Sequence, residues 1–168
     1  SFVQVDVGAI TLTPAIKRDI DVADVWVEVD LVGLVEVAQM RTKRLHKNAA
    51  NPNFGFSKAV DVAPGSTQQQ VLRSVVGSKE EQDADVYFVV KTLTARNQER
   101  ELGQGYVNLQ TLLRDGRDAV SQSVALQGKT GQAGSLVVSL TAVDAMRMVT
   151  GQVAAGPVAA ASGPSLVQ

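Results

Sequence analysis

Residues 25–31 read Val-Trp-Val-Glu-Val-Asp-Leu, so aliphatic side chains occupy every second position. Successive side chains of a β-strand point to opposite faces, and this period of two is typical of a strand with one face in a core. The alternating segment runs from Val25 to Leu34, and the chain holds three others: Phe2 to Thr11, Val86 to Leu93 and Ser135 to Val143. Together they predict an all-β fold, an antiparallel β-sandwich.

Two short helical elements interrupt this β pattern. Ser66 and Gln69 have the spacing of a capping box, and Gly77 is a natural helix stop. The segment between them therefore predicts one amphipathic helix, whose apolar face is formed by Val71, Leu72, Val75 and Val76. A brief helical turn is predicted after Asn108 and ends at Asp115-Gly116.

The remaining segments complete the predicted domain. Further strands are expected at Val37 to Leu45, Phe54 to Val62, Leu102 to Val107 and Ala119 to Leu126, with a Gly-rich hairpin loop at Gln127 to Gly134 and an exposed connection around Lys17 to Asp24. From Thr150 the composition changes to uncharged Ala, Gly, Pro, Val and Ser. We therefore expect a β-sandwich domain over residues 1–148 and a linker or disordered tail over residues 149–168.

Composition excludes most catalytic classes. The 168 residues include no cysteine and one histidine, His46, which excludes thiolate catalysis and leaves no metal-ligating cluster or cofactor site. Gly128-Lys129-Thr130 is not a phosphate loop, because Ser123 stands where that motif needs a glycine. A net charge of -1 gives no global attraction to nucleic acid. The sequence predicts an intracellular domain that is not an enzyme.

A cluster of basic residues is one candidate contact site: Arg41, Lys43, Arg44 and Lys47. On a strand, Arg41 and Lys43 point one way and Arg44 the other, so only part of the cluster can form one patch. Such a patch suits an acidic protein partner or phosphoinositide headgroups. The alternative is an edge strand that charge protects from aggregation.

Trp26 is the second candidate contact, and the only tryptophan. It shares a strand face with Glu28 and Asp30. A half-exposed tryptophan is a good interface anchor, because its contact area is large. Alternatively, the helix between Ser66 and Gly77 covers it. Both interpretations stay open at this stage.

Four segments carry a family resemblance: residues 25–34, 61–76, 103–126 and 136–143. With them, the chain from Phe2 to Met148 resembles the C-terminal C2-like domain of the retinitis pigmentosa GTPase regulator-interacting protein family. The resemblance implies a C2-like sandwich without catalysis that belongs to a scaffold of the cilium or flagellum, associated with the cytoskeleton at the transition zone. It also implies a protein partner, the β-propeller of the GTPase regulator.

The resemblance allows a test for calcium. A calcium-binding C2 domain gathers aspartates at one end, because the ion takes about six to eight oxygen ligands. Counted back from Gly103, the corresponding positions hold Thr92, Thr94 and Arg100, and none is acidic. We therefore predict a calcium-independent interaction domain. The alternatives are a phospholipid-binding C2 domain that uses the basic cluster, with membrane contact, and another structural component of the axoneme.

Overall fold

The computed structural model describes residues 1–151. Its strands are β1 Phe2–Leu12, β2 Asp24–Asp30, β3 Leu45–His46, β4 Asn53–Asp61, β5 Asp85–Leu93, β6 Glu99–Asn108, β7 Ala119–Gly128 and β8 Gly131–Thr141. Its α-helices are α1 Pro14–Arg18, α2 Thr67–Val76, α3 Leu109–Asp115 and α4 Val143–Thr150, and 3-10 helices cover Val37–Met40 and Glu81–Ala84. The strands pair antiparallel in the order β3-β2-β5-β6-β7-β8-β1-β4.

The sheet divides into two layers between β6 and β7. Only Gln104 and Gln127 pair across that boundary, whereas β5 and β6 pair along their whole length. The inward positions of both layers form one buried core, which includes Val3, Val5, Val7, Val27, Val29, Phe88, Val90, Leu136, Val138 and Leu140. This arrangement confirms the predicted antiparallel sandwich and the inward face of each alternating segment.

Glycine permits the close approach of the two layers at this boundary. A Cβ atom on Gly105 would lie 2.3 Å from Val124 Cγ1 and 2.4 Å from the Ala125 carbonyl oxygen. Both distances are far below a normal van der Waals contact, so a side chain at Gly105 would separate β6 from β7. Gly105, which lies in the resemblance segment 103–126, therefore has a packing role.

The two predicted helical elements are confirmed. The Ser66 hydroxyl accepts a hydrogen bond from the Gln69 amide at 3.1 Å, and Leu72 is fully buried on the inner face of α2. The Asn108 side chain accepts from the Thr111 amide at 2.9 Å and begins α3. Gly116 ends α3 in the left-handed conformation, at φ 69°.

The predicted strand from Val37 to Leu45 is wrong. A 3-10 helix occupies Val37–Met40, and only Leu45–His46 forms a strand. Between them, Thr42 pairs with Val27 through its amide and also through its hydroxyl, which accepts from the Val27 amide at 2.9 Å. The Thr42 hydroxyl takes the place of a backbone carbonyl oxygen as the acceptor for the Val27 amide. The regular pattern of backbone hydrogen bonds with β2 is therefore interrupted at this point.

Two other strand boundaries also differ from the prediction. β2 ends at Asp30, because Val32 and Gly33 both have positive φ and turn the chain. The expected loop from Gln127 to Gly134 is mostly strand, and Lys129 and Thr130 alone separate β7 from β8. Gly134 is required inside β8, because a Cβ atom there would lie 1.9 Å from the Thr11 carbonyl oxygen.

Helices α1 and α4 were not predicted. Helix α4 begins where the Asp118 carboxylate accepts from the amides of Ala142 and Val143, at 2.8 and 2.9 Å. It continues through Thr150 across the expected boundary at residue 148, and Val149 is buried. Residues 152–168, most of the expected tail, lie outside the described residues.

The core predicts the effect of a buried charge. We expect Val138→Asp to unfold the domain, because Val138 is buried between layers and an unpaired carboxylate costs on the order of several kcal/mol there. Val137→Asp, on the opposite face of the same strand, is the matched control and should cost about 1 kcal/mol. Circular dichroism and urea unfolding measure both. Equal stability of the two variants would contradict the inward assignment of Val138.

Candidate interaction surface

Side chains on the outer face of β2, β5 and β6 stand in rows across the strands. The register gives three rows: Trp26 with Lys91 and Glu101; Glu28 with Val89 and Gln104; and Asp30 with Tyr87 and Tyr106. The first two rows form the upper half of this face, and the third forms the lower half. The two halves differ in how their charges are neutralised.

Glu28 organises the upper half. Glu28 is only 6% exposed, and its carboxylate accepts from Trp26 Nε1 at 3.1 Å and Arg41 Nε at 2.9 Å. Lys91 Nζ lies 3.0 Å from its other oxygen. A buried carboxylate is stable only with such donors, so the fold requires these side chains in these positions.

The pKa of the Glu28 carboxyl is lowered, although burial and its hydrogen-bond donors act on it in opposite directions. Burial on its own raises the pKa of this carboxyl. The hydrogen bonds from Trp26 and Lys91, with the positive charges nearby, outweigh burial and leave the pKa below its ordinary value of 4.5. Glu28 is therefore an anion under physiological conditions, and it compensates the charge of Arg41 and Lys91.

Trp26 is not a half-exposed anchor. The structure leaves it 1% exposed, and its indole nitrogen is committed to Glu28. The guanidinium carbon of Arg44 lies 4.6 Å from the ring centroid, which is a cation–π contact. Arg44 thus supplies the cover for which the helix between Ser66 and Gly77 was the sequence-based candidate.

The basic cluster is largely engaged within the domain. Arg41 binds Glu28, Arg44 lies on Trp26, and Lys47 Nζ donates to the Asp19 carbonyl oxygen at 2.6 Å. Lys43 is exposed, and its ammonium has no bonded partner among residues 1–151. The structure therefore does not bring the four basic groups together as one free patch.

Opposite charges also meet at the end of the sandwich where the loops after β1 and β5 lie. One Arg100 nitrogen is 3.0 Å from Asp19 Oδ2 and the other is 3.5 Å from Asp21 Oδ2. A hydrogen bond from the Asp21 amide, followed by that from Arg100, lowers the pKa of Asp19. Within the described range, no three acidic, histidine or cysteine side chains come close enough to hold a metal ion.

The lower half of the face carries two tyrosines that the sequence-based reasoning did not select. The rings of Tyr87 and Tyr106 lie 5.8 Å apart, tilted by 48°, and Tyr106 is 54% exposed. Asp85 accepts from the Tyr87 hydroxyl at 3.3 Å and from Asn108 Nδ2 at 2.8 Å. The alternation of residues 86–93 already indicated that Tyr87 faces outward, which was the available signal.

Comparisons with known proteins give a family and a fold for the chain. A family described as "Retinitis pigmentosa G-protein regulator interacting C-terminal" matches residues 2–152. A C2 domain-containing protein from an elicitor-responsive gene has a TM-score of 0.53 at 9% identity, over 95% of this chain and 93% of that chain. A C2 domain of plant extended synaptotagmin 1 has a TM-score of 0.47 at 20% identity, over 83% of this chain and 91% of its own.

No curated protein sequence matches the chain. None of the helices within residues 1–151 combines the length and the apolar character of a membrane span. The likeness to the C2 domain-containing protein concerns the fold alone and confirms that the sandwich is C2-like.

The buried carboxylate leads to a prediction about pH. We expect Glu28→Gln to lower the free energy of unfolding by about 1 to 3 kcal/mol at neutral pH, because two cations lose their charged acceptor. The folded pKa lies below the unfolded one, so the contribution is fully present above the ordinary pKa of 4.5 and is lost as the pH falls through the folded pKa. The difference between wild type and variant should therefore shrink in acid.

Urea unfolding across this pH range measures the effect. Glu101→Gln, which changes an exposed carboxylate on β6, is the matched control and should cost less than about 0.5 kcal/mol. A Glu28→Gln protein as stable as wild type at neutral pH would show that the carboxylate has no structural role.

Proposed function

The chain belongs to the family of retinitis pigmentosa G-protein regulator interacting C-terminal domains, and from this premise we propose that it is a non-catalytic domain that binds a G-protein regulator. The carrying observation is the family match over residues 2–152, nearly the whole chain. The family description names an interaction with a G-protein regulator. The fold of the chain is that of a C2 domain. The proposed partner is the β-propeller of the regulator, as the sequence resemblance implied.

The setting of the domain is part of the same proposal. A domain of this family that binds a G-protein regulator would act within a scaffold of the cilium or flagellum, associated with the cytoskeleton at the transition zone. The exposed Tyr106, whose ring lies against that of Tyr87, supports protein binding. His46, the only histidine, is exposed and hydrogen-bonded locally to the Asn48 amide.

Calcium independence is supported by the charges at the loop end. A C2-type calcium site needs several carboxylates that are free to coordinate the ion. Here Arg100 lies within 3.5 Å of both Asp19 and Asp21, so a cation of the chain itself neutralises them. The hydroxyl of Thr92 is also committed, because it donates to the Asp24 carbonyl oxygen at 2.6 Å.

Phospholipid binding by the basic cluster is the rival function. The exposure of Lys43 and Arg44 favours it. Against it, Arg41 and Lys47 already have partners, and each exposed cation contributes only about 1 kcal/mol near an anionic membrane. Protein binding therefore remains the better supported function.

The first test is binding to the purified propeller of the retinitis pigmentosa G-protein regulator, measured by isothermal titration calorimetry. We expect wild type to bind, and a chain truncated after Gly151 to bind with a Kd within about twofold, because residues 152–168 contain no charge and no aromatic ring. Val138→Asp is the unfolded control. A truncated protein that keeps its circular dichroism spectrum and loses binding would make the tail the recognition element.

The second test adds calcium to the protein, alone and with anionic vesicles. A ligand at about 100 times its Kd adds about 2.7 kcal/mol of stability, which raises the melting temperature by several degrees. We expect millimolar calcium to leave the melting temperature unchanged and the protein to stay in the supernatant. A calcium-dependent rise would contradict calcium independence, and sedimentation with the vesicles would favour the lipid rival.

A further inference from the structure

We propose that the tyrosine row, defined as Asp30, Tyr87 and Tyr106 with the neighbouring Asp85, is the surface that receives the protein partner, and that the partner presents an arginine or lysine side chain to it. This inference rests on the proposed function and names the contact chemistry. It moves the binding site from the basic cluster to the lower half of the β2–β5–β6 face.

Tyr106 is a large aromatic side chain that the fold leaves available for contact. It is 54% exposed, and its hydroxyl has no hydrogen-bond partner among residues 1–151. Its ring contacts that of Tyr87, 5.8 Å away, which restricts its motion before any partner arrives. A large, restrained aromatic side chain costs little conformational entropy on binding, which is why tyrosine is common at interface hot spots.

The charges around the tyrosines select a cation. Asp30 lies directly across from Tyr87 in the register and is exposed. Within the described part of the chain it forms neither an ion pair nor a side-chain hydrogen bond. Among residues 1–151, the Asp85 carboxylate receives side-chain hydrogen bonds only from the neutral groups of Tyr87 and Asn108, and no cation there pairs with its charge. Aromatic faces attract cations as well, and the row therefore combines two kinds of cation recognition.

The upper half of the same face cannot serve this purpose. Its carboxylates lie beside cations of the chain: Glu28 is surrounded by Arg41, Lys91 and the Trp26 indole, Glu99 Oε1 lies 3.6 Å from Lys91 Nζ, and Glu101 stands opposite Lys91 in the register. A partner cation would have to displace an internal ion pair there, whereas at Asp30 it meets an unpaired charge. Association is therefore favoured at the lower half.

An open hollow extends the row beyond Asp30. It lies beside the turn after β2, and Gly33, Leu34, Glu36 and Val37 line it together with Asp30. Glu36 adds a further carboxylate, and Val37 is an exposed aliphatic group. The hollow gives the partner an apolar contact next to the acidic one, as interfaces with a mixed core and rim have.

Five variants test the proposal by calorimetry with the purified propeller of the regulator. Three change the tyrosine row, and two are matched controls outside it. Tyr106→Ser should raise the Kd about 30-fold, the loss typical of a hot spot, and Tyr106→Phe should stay within about threefold. Val120→Ser is its control, an exposed apolar residue on β7 in the other layer. Asp30→Lys should raise the Kd at least about tenfold, and Asp61→Lys, an exposed aspartate on β4, should not. Circular dichroism confirms that each variant is folded.

The outcomes separate this inference from the proposed function. Failure of the wild-type domain to bind the propeller overturns the proposed function and this inference with it. Binding that survives both Tyr106→Ser and Asp30→Lys overturns the inference alone. Equal losses in the Val120→Ser and Asp61→Lys controls overturn it as well, because they would remove its specificity for the row.

Discussion

The buried carboxylate of Glu28 determines how the outer face of the β2–β5–β6 layer is built. Its outward side chain is covered by the segment that follows the Val37–Met40 helix, so it must be neutralised inside the protein. Arg41 and Lys91 provide the charge, and the Trp26 indole provides a further donor. Trp26 in turn is the platform for Arg44. One carboxylate therefore orders two of the four residues of the basic cluster, Arg41 directly and Arg44 through Trp26, whereas no cation within residues 1–151 pairs with the aspartates of the tyrosine row.

The same principle operates at the loop end of the sandwich. Arg100 lies between Asp19 and Asp21, where a calcium-binding C2 domain would keep its carboxylates free for the ion. In both places, cations of the chain satisfy its own carboxylates, which stabilises the scaffold. The fold keeps the C2 framework, and the proposed protein contact lies on a sheet face. Family membership and surface chemistry agree on an interaction domain.

Much of the fold could be predicted from the sequence, because strand alternation and helix caps involve residues that are close together in the chain. The alternation in β1, β2, β5 and β8 and the Ser66 and Asn108 caps all depend on short spacings. Helix α4 could not be predicted in this way, since its cap, Asp118, comes from a different turn of the chain. The basic cluster was visible as a cluster, but its ion pair with Glu28 depends on how the segment after β2 folds back. The burial of Trp26 depends on the same segment, because that segment carries Arg44 onto the ring.

Hydroxyl-radical footprinting of the complex with the propeller of the G-protein regulator tests the central claim most directly, because it reads the side chains themselves. Tyr106 is exposed and reactive in the free domain, and Phe2 and Met148 are exposed elsewhere and serve as internal references. If the tyrosine row receives the partner, complex formation suppresses oxidation of Tyr106 and leaves Phe2 and Met148 unchanged. Unaltered oxidation of Tyr106 in a saturated complex, with protection at either reference residue, would contradict the claim.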